Sequence, residues 1–379
     1  MQTVIISTSD TNSYARNLTA AAQALRDGAL VVFPTETVYG VAANAADAQA
    51  TARLREVKGR GTAQPFTVHL GQRAHARRFL SAPSPVIRRL VRRAWPGPLT
   101  LICEERSPQD TEIADVCSGE QLSALYQDGT VGLRCPDHAA ATRFLTEAGV
   151  PVGASSANRR GGPPPVDVDA ALRDLSGLVE YAIDGGRTRY SAPSTIVAVH
   201  GDAWQVQRAG ALDERTVARL ANSEILFVCT GNSCRSPMAE YLFRHGLAKR
   251  LGRPVEALAA AGYRVSSAGT FAALGAPASA GAIEELTRRK IDLSGHRSQP
   301  LSVELVHRAE RIYAMSVEHR QAVVDLVPAA AGRVALLDPV GPVPDPIGGS
   351  ADQYRRCADQ IERAIGLRLK EFLDEDRAW

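Results

Sequence analysis

The residues with the most explicit chemistry lie in the run Cys229-Thr-Gly-Asn-Ser-Cys-Arg-Ser236. A cysteine followed by an arginine on a loop between strand-like and helix-like segments suits a tetrahedral anion. Backbone N–H groups of such a loop, and the positive end of the helix after it, converge on negative charge. Arg235 adds a planar fork of donors for two phosphate oxygens. The same field favours a thiolate at Cys229, below the roughly 8.5 of a free thiol. Gly231 permits a tight turn, and Ser236 can hydrogen-bond the sulfur. Thr230, Asn232, Ser233 and Cys234 complete the loop. The chemistry is two in-line displacements through a cysteinyl phosphate, which need an acid for the leaving group and later a base for water. Asp345, in Val343-Pro-Asp-Pro-Ile-Gly-Gly-Ser350, meets that need, with prolines on both sides to hold it. Asp338-Pro339 repeats the dipeptide and is the weaker candidate. Cys234 can form a reversible disulfide with Cys229 or simply pack against the loop.

The first half is less explicit. Lys58-Gly-Arg60 follows a helix-like segment and can contact phosphates, and Ser155-Ser-Ala-Asn158 follows a strand-like one and can hydrogen-bond a nucleotide. Read alone, each is more often a surface turn. Neither GxxxxGK[ST] nor GxGxxG occurs, so the common nucleotide loops do not apply.

The elements that must position these residues alternate between strand-like and helix-like patterns in both halves, which predicts an α/β chain. Leu18 to Arg26 reads as a helix that Gly28 can end, and Ala29 to Phe33 as a buried strand. Asp47 can cap a second helix carrying Ala50, Leu54 and Val57. Trp95-Pro-Gly-Pro98 is a turn before the strand Leu99 to Cys103. Val131 to Cys135, Val150 to Ala154, Thr195 to Val199 and Trp204 to Val206 read as short strands. A boundary follows Arg208-Ala-Gly210, then a short helix from Asp213 to Leu220. A new strand, Ile225 to Val228, leads into the Cys229 loop and a helix from about Pro237 to Leu251. Tyr354, Ala358, Ile361, Ile365 and Phe372 give the C-terminus one buried helical face. The expected organisation is a domain over 10–210, a linker over 211–223 and a second domain over 224–379.

Bulk properties exclude several classes. At 379 residues the chain has room for two cores. Its 45% hydrophobic and 22% charged content is that of a soluble globular protein. No apolar run approaches the roughly 18 residues of a membrane span, and MQTVIISTSD does not read as a signal peptide, so the cytoplasm is expected. A net charge of +3, balanced in both halves, does not by itself call for nucleic acid. The six scattered cysteines are no disulfide framework. Without a CxxC pair or Cys/His cluster, the protein alone fixes no metal.

Over residues 224–379 the Cys229 loop, Ser267-Ala-Gly-Thr270, Ser294-Gly-His-Arg-Ser298 and the late Asp345-Pro346 together resemble the low-molecular-weight protein-tyrosine phosphatase family. The resemblance implies a central parallel sheet flanked by helices, no cofactor and a phosphoprotein substrate. Tyrosine-specific members carry aromatic walls after the Asp-Pro, where this chain has Ile347 and Gly348. They also carry a bulkier apolar residue at the position of Ser233, where bacterial protein-arginine phosphatases of the family carry a Thr. The resemblance therefore favours phosphoarginine over phosphotyrosine.

Residues 10–210 resemble the YrdC family of L-threonylcarbamoyladenylate synthases. The carriers, in order, are Pro34-Thr-Glu-Thr-Val-Tyr-Gly40, Lys58-Gly-Arg60, Pro65, Trp95-Pro-Gly-Pro-Leu-Thr100, Arg134-Cys-Pro136, Ser156-Ala-Asn158 and Ser194-Thr-Ile-Val197. The resemblance implies a twisted open α/β fold around a concave cavity. It implies synthesis of threonylcarbamoyl-AMP from L-threonine, bicarbonate and ATP, with Mg²⁺ accompanying ATP and tRNA or tRNA-modification proteins as partners. Lys58 and Arg60 would neutralise carbamate and triphosphate. Thr35 and Ser194 would contact threonine, Arg134, Ser156 and Asn158 the nucleotide, and Arg208 the phosphate end. Departures from the family pattern are Gly61 and Pro193, and Ala209 within Arg208-Ala-Gly210. The whole then reads as a bifunctional enzyme, against the alternative of a phosphatase carrying a non-catalytic RNA- or nucleotide-binding module.

Overall fold

The computed structural model describes residues 2–8, 13–59, 65–159 and 161–377, which fall into two compact units divided between Leu220 and Ala221. In the first unit the described strands are β1 (Val4–Ser7), β2 (Val31–Phe33), β3 (Gly40–Asn44), β4 (Thr67–His69), β5 (Leu99–Glu104), β6 (Thr130–Arg134), β7 (Val152–Ser156), β8 (Tyr181–Asp184), β9 (Thr195–His200) and β10 (Ala203–Arg208). They form one open sheet in the order β1-β8-β2-β3-β7-β4-β6-β5-β9-β10. The sheet is mixed: β3 runs antiparallel to both neighbours, and β5 pairs antiparallel with β6 but parallel with β9.

The apolar run before Pro34 becomes β2, buried at all three positions. Successive strand residues point to opposite faces, so Val31 and Phe33 enter one core and Val32 the other. The first core packs the helices Tyr14–Arg26 and Ala139–Ala148, the second the helices Ala48–Lys58 and Val168–Leu175. Asp47 caps the helix Ala48–Lys58 by accepting from the N–H groups of Gln49 and Ala50, as its residue type predicts. Gly28 takes up a left-handed φ of 93° two residues past the end of the first helix. The strand expected over 150–154 lies at Val152–Ser156 instead. Pro151, which has no N–H to donate, stays outside it and only accepts from the N–H of Ala45. The segment after Gly210 is built into this unit. Thr195 Oγ1 accepts from Leu212 N and donates to Leu212 O, and Arg93 holds the carbonyl of Leu220.

The second unit has a wholly parallel sheet of β11 (Ser223–Cys229), β12 (Tyr263–Gly269), β13 (Arg311–Ala314) and β14 (Val334–Leu336), in the order β12-β11-β13-β14. In β11 the period of two again sorts side chains. Ile225, Phe227 and Cys229 face the helices Arg235–Leu251, Ala280–Arg288 and Ala351–Arg377, while Leu226 and Val228 face the other core. Cys229 is therefore the last residue of a central strand, at the carboxyl end of a parallel sheet, the usual place for ligands in α/β proteins.

Candidate active sites

In the first unit, register creates the site. Ile196 of β9 lies opposite Thr100 of β5, Thr100 opposite Arg134 of β6, and Arg134 opposite His69 of β4. These cross-strand neighbours form one row on one face, and all four line a cavity of about 300 Å³. Thr35, Ser156, Asn158, Ser194 and Arg208 reach the same cavity from loops and strand ends. Six of the eight expected binding residues thus converge.

Arg134 is buried, and its guanidinium donates to Glu36 (3.0 Å), Thr37 Oγ1 (2.5 Å) and Thr35 Oγ1 (3.4 Å). The other oxygen of Glu36 accepts from the N–H of Asp137 at 3.0 Å. A buried charge needs this degree of pairing, and the pairing shapes the Thr35–Val38 turn. The turn closes on Thr35 Oγ1, which accepts from Val38 N and donates to Val38 O. Ser194 Oγ shares a 2.8 Å hydrogen bond with Thr100 Oγ1, and Arg208 donates to the carbonyl of Ser194 at 2.8 Å. A Cβ on Gly210 would sit 2.4 Å from the carbonyl oxygen of Pro193, so the backbone approach beneath Ser194 requires glycine.

Lys58 does not itself line the cavity but stands behind two residues that do. Its ammonium donates to the carbonyls of Ser156 (2.6 Å) and Asn158, and to Asn158 Oδ1 at 3.2 Å. Ser156 Oγ donates to the same Oδ1 at 2.6 Å. Lys58, Ser156 and Asn158 are thus one connected group. Arg60 lies outside the described residues. Sequence reasoning missed His69, for which a lone histidine gives no motif signal. Its Nδ1 donates to the carbonyl of Thr67 at 3.1 Å, leaving Nε2 as an acceptor. Burial first, and Arg134 second, push its pKa down to about 3.

In the second unit the Cys229 sulfur is buried. It lies 2.9 Å from Ser236 Oγ and accepts from the N–H of Asn232 at 3.3 Å. The tight turn is made by Asn232, with a left-handed φ of 52°, and not by Gly231, which lies outside the left-handed region. Asn tolerates that conformation, and here its side chain locks it. Asn232 Nδ2 donates to Ser236 Oγ (3.0 Å) and Ser267 Oγ (2.8 Å), Oδ1 accepts from Gln299 N (2.9 Å), and His296 Nε2 donates to its carbonyl (2.8 Å). Gly269 backs the loop: a Cβ there would lie 2.4 Å from the carbonyl oxygen of Thr230.

Arg235 donates to Thr230 Oγ1 at 3.1 Å and to the carbonyl of Val343 at 3.3 Å, and pairs with the carboxylate of Asp345. Asp338 is engaged elsewhere, by Val340 N and Gln360 Nε2. Burial is the largest influence on Cys229 and pushes its thiol up. Hydrogen bonds from Ser236 and Asn232, and the charge of Arg235, pull it down. This corrects the expectation that the loop alone favours a thiolate. Burial of the sulfur outweighs the loop's donors and the guanidinium together. Cys234 Sγ lies against Ser279 Oγ (3.1 Å) and Tyr354 Oη (3.5 Å), and all six cysteines are free thiols. Ser233 adjoins it, with Oγ 3.6 Å from its sulfur.

Two further neighbours carried no sequence signal. His319 Nε2 lies 2.8 Å from Thr230 Oγ1, and its Nδ1 lies 2.9 Å from Ser316 Oγ. Phe271, 86% exposed, is tied to the loop by its N–H, which donates to the carbonyl of Thr230 at 2.9 Å.

Residues 23–210 match the Sua5/YciO/YrdC family model, described as telomere recombination. Residues 224–378 match that of the low molecular weight phosphotyrosine protein phosphatases. The chain is 34% identical over 200 residues to the threonylcarbamoyl-AMP synthase of Bacillus subtilis, 52% of this chain, and spans only 54% of that relative's length. It is 35% identical over 211 residues, 56% of this chain, to a Mycobacterium tuberculosis protein provisionally named a threonylcarbamoyl-AMP synthase, and covers 92% of it. It is 38% identical over 159 residues, 41% of this chain, to the protein-arginine-phosphatase of B. subtilis, of which it covers 99%.

Proposed function

Because the chain belongs to the Sua5/YciO/YrdC family over residues 23–210 and to the low-molecular-weight phosphatase family over 224–378, we propose that it is a bifunctional enzyme. The two catalytic domains are taken as 10–210 and 224–379, joined by 211–223. The N-terminal domain makes threonylcarbamoyl-AMP for tRNA modification, and the C-terminal domain dephosphorylates protein phosphoarginine in preference to phosphotyrosine.

One observation supports the synthase reading above others: Thr35, Arg134, Ser156, Asn158, Ser194 and Arg208 line a single cavity. Threonine and bicarbonate condense to a carbamate with loss of water. A carbamate oxygen then attacks the α-phosphorus of ATP, and pyrophosphate leaves with the electron pair of the broken P–O bond. Thr35 and Ser194 hold threonine, Ser156 and Asn158 hold the nucleotide, and Lys58, Arg60 and Arg208 meet the phosphates. Holding both anions together supplies most of the rate. Mg²⁺ enters with ATP. Among the described residues the cavity lining offers no carboxylate, and triphosphate and water oxygens would be its ligands.

In the phosphatase domain Cys229 Sγ attacks phosphorus while Arg235 and the loop N–H groups hold the equatorial oxygens. Asp345 protonates the leaving nitrogen or oxygen, then takes a proton from the water that cleaves the S–P bond. Ile347 and Gly348, where tyrosine-specific members carry aromatic walls, support phosphoarginine, because a slot for a phenyl ring would keep such walls. No helix among the described residues is long and apolar enough to cross a membrane, and we place the chain in the cytoplasm.

Pyrophosphate release that requires both threonine and bicarbonate, and falls in Lys58→Ala, tests the first activity. Nucleotide binding without such release would reduce the domain to a binding module. Release of phosphate from phosphoarginine and phosphotyrosine peptides, with Cys229→Ser as control, tests the second. A wide preference for phosphotyrosine would overturn the arginine assignment.

A further inference from the structure

A groove of about 510 Å³ opens beside the acid loop, between Pro344–Pro346 and the helix Ala351–Arg377. Asp345 forms part of its wall, Cys357 lies in its lining, and Arg356 and Arg363 stand along the helix. The two arginines are seven residues apart, so they share one helical face at a spacing of roughly 10 Å. Both are exposed, and neither has an ion-pair or hydrogen-bond partner among the described residues. Other arginines on this helix are satisfied: Arg355 pairs with Asp352, and Arg368 with Glu371 and the carbonyls of Leu336 and Leu337. The acidic groups facing the groove are each held by another arginine, Asp359 by one it shares with Glu285 and Glu362. Asp359 pairs with Arg289 at 2.6 Å, and Asp345 with Arg235. Arg356 and Arg363 are the charged lining side chains left with no partner of their own among the described residues.

We propose that this groove docks acidic side chains flanking the phosphorylated residue of a protein substrate. The inference rests on the phosphatase reading. A phosphate held by Arg235 places its leaving atom at Asp345, so the substrate chain leaves the loop past the residue where the groove begins. Carboxylates a few residues from the modified side chain then meet Arg356 and Arg363. The cation pair selects by charge and acts on binding, while Cys229, Arg235 and Asp345 perform the chemistry.

The test uses the full chain and two phosphopeptides of equal length, one with Asp or Glu on both sides of the phosphorylated residue and one with Gln there. Wild type should prefer the acidic peptide in kcat/KM by about five- to ten-fold, the effect of two exposed ion pairs. The difference should lie in KM and shrink at high salt. Arg356→Gln/Arg363→Gln should remove the preference and leave 4-nitrophenyl phosphate turnover unchanged. Should that variant also lose aryl phosphate turnover, Arg356→Lys/Arg363→Lys decides: a retained acidic preference supports the assignment, a lost one overturns it. Equal use of both peptides by wild type overturns it while leaving the phosphatase reading intact. Absence of any Cys229-dependent hydrolysis overturns both.

Discussion

Replacing Asn232 with alanine should damage the second unit more than any other single change in the loop that leaves the cysteine and arginine in place. The buried carboxamide makes three hydrogen bonds, to Ser236, Ser267 and Gln299. Ser236 Oγ still has Cys229, and Ser267 Oγ still donates to Glu240. The N–H of Gln299 loses the side-chain oxygen it donates to. Such an orphaned donor costs about 1–3 kcal/mol, and the two hydroxyl contacts about 1 kcal/mol each. A left-handed backbone adds about 1 kcal/mol for a residue with a Cβ and no local hydrogen bond. The expected loss is about 5 kcal/mol, a large part of the 5–15 kcal/mol of a typical domain. Because the carboxamide also locks the turn that aims the backbone N–H of Asn232 at the Cys229 sulfur, its loss should misplace that donor and lower kcat/KM by about 100-fold or more. Asn232→Gly escapes the backbone cost and should be about 1 kcal/mol less destabilised than Asn232→Ala. Urea denaturation of the full chain followed by circular dichroism reads the stability, and aryl phosphate hydrolysis reads the site. A loss under about 1 kcal/mol with unchanged kcat/KM, or a glycine variant worse than alanine, would refute the reasoning.

Three other outcomes follow from the geometry. The folded-state pKa of His69, about 3, lies below its unfolded value of roughly 6.5, so the unfolded chain takes up the proton first. The first unit should be fully stable above about pH 6.5 and lose up to about 1.4 kcal/mol per unit as pH falls toward 3. Part of the slope between pH 7 and 5 should vanish in His69→Gln, measured by denaturant titration at each pH, and an unchanged slope would count against this assignment. Gly210→Ala should displace Pro193 to Thr195, and with them Ser194, cutting pyrophosphate release by about ten-fold or more with little change in phosphatase activity. Thr230 Oγ1 accepts from Arg235, so its own proton points to His319 Nε2, which burial, then Arg235, keeps neutral. His319→Phe should therefore weaken inhibition by inorganic phosphate about ten-fold, while His319→Gln, which retains an acceptor there, stays within about three-fold. Equal effects of the two would remove the positioning role.

Legibility in the sequence followed how locally each feature is encoded. The Cys229 loop is contiguous because its backbone itself does the binding, and the prolines around Asp345 mark a rigid loop. Asp47 and Gly28 announced helix ends through capping rules that act over a few residues. The strand Gly40–Asn44 escaped notice because Gly-Val-Ala-Ala-Asn has no alternation and a single β-branched residue, Val41. It is a strand because five small residues fit, fully buried, between two neighbours. His69 was invisible for another reason: it meets Arg134 only through the register of two strands. Asn232 was read as loop filling, since nothing local tells which residue of Gly231-Asn232 takes the left-handed turn. The raised pKa of the Cys229 thiol was not legible in the loop because the burial that outweighs the loop's own donors comes from the strand and helices packed around it.

The carboxylate of Asp345 changes what phosphate recognition entails. Arg235 already holds an anion in Asp345, so a phosphate entering the loop replaces one negative group with another. Recognition becomes an exchange, and its selectivity is a contest. A dianion with several oxygens to place on guanidinium and loop N–H groups outcompetes a single carboxylate, whereas a monoanion gains much less. The displaced carboxylate is released beside the atom that must be protonated. The group that guards the arginine becomes available as an acid only once the arginine has found a better partner.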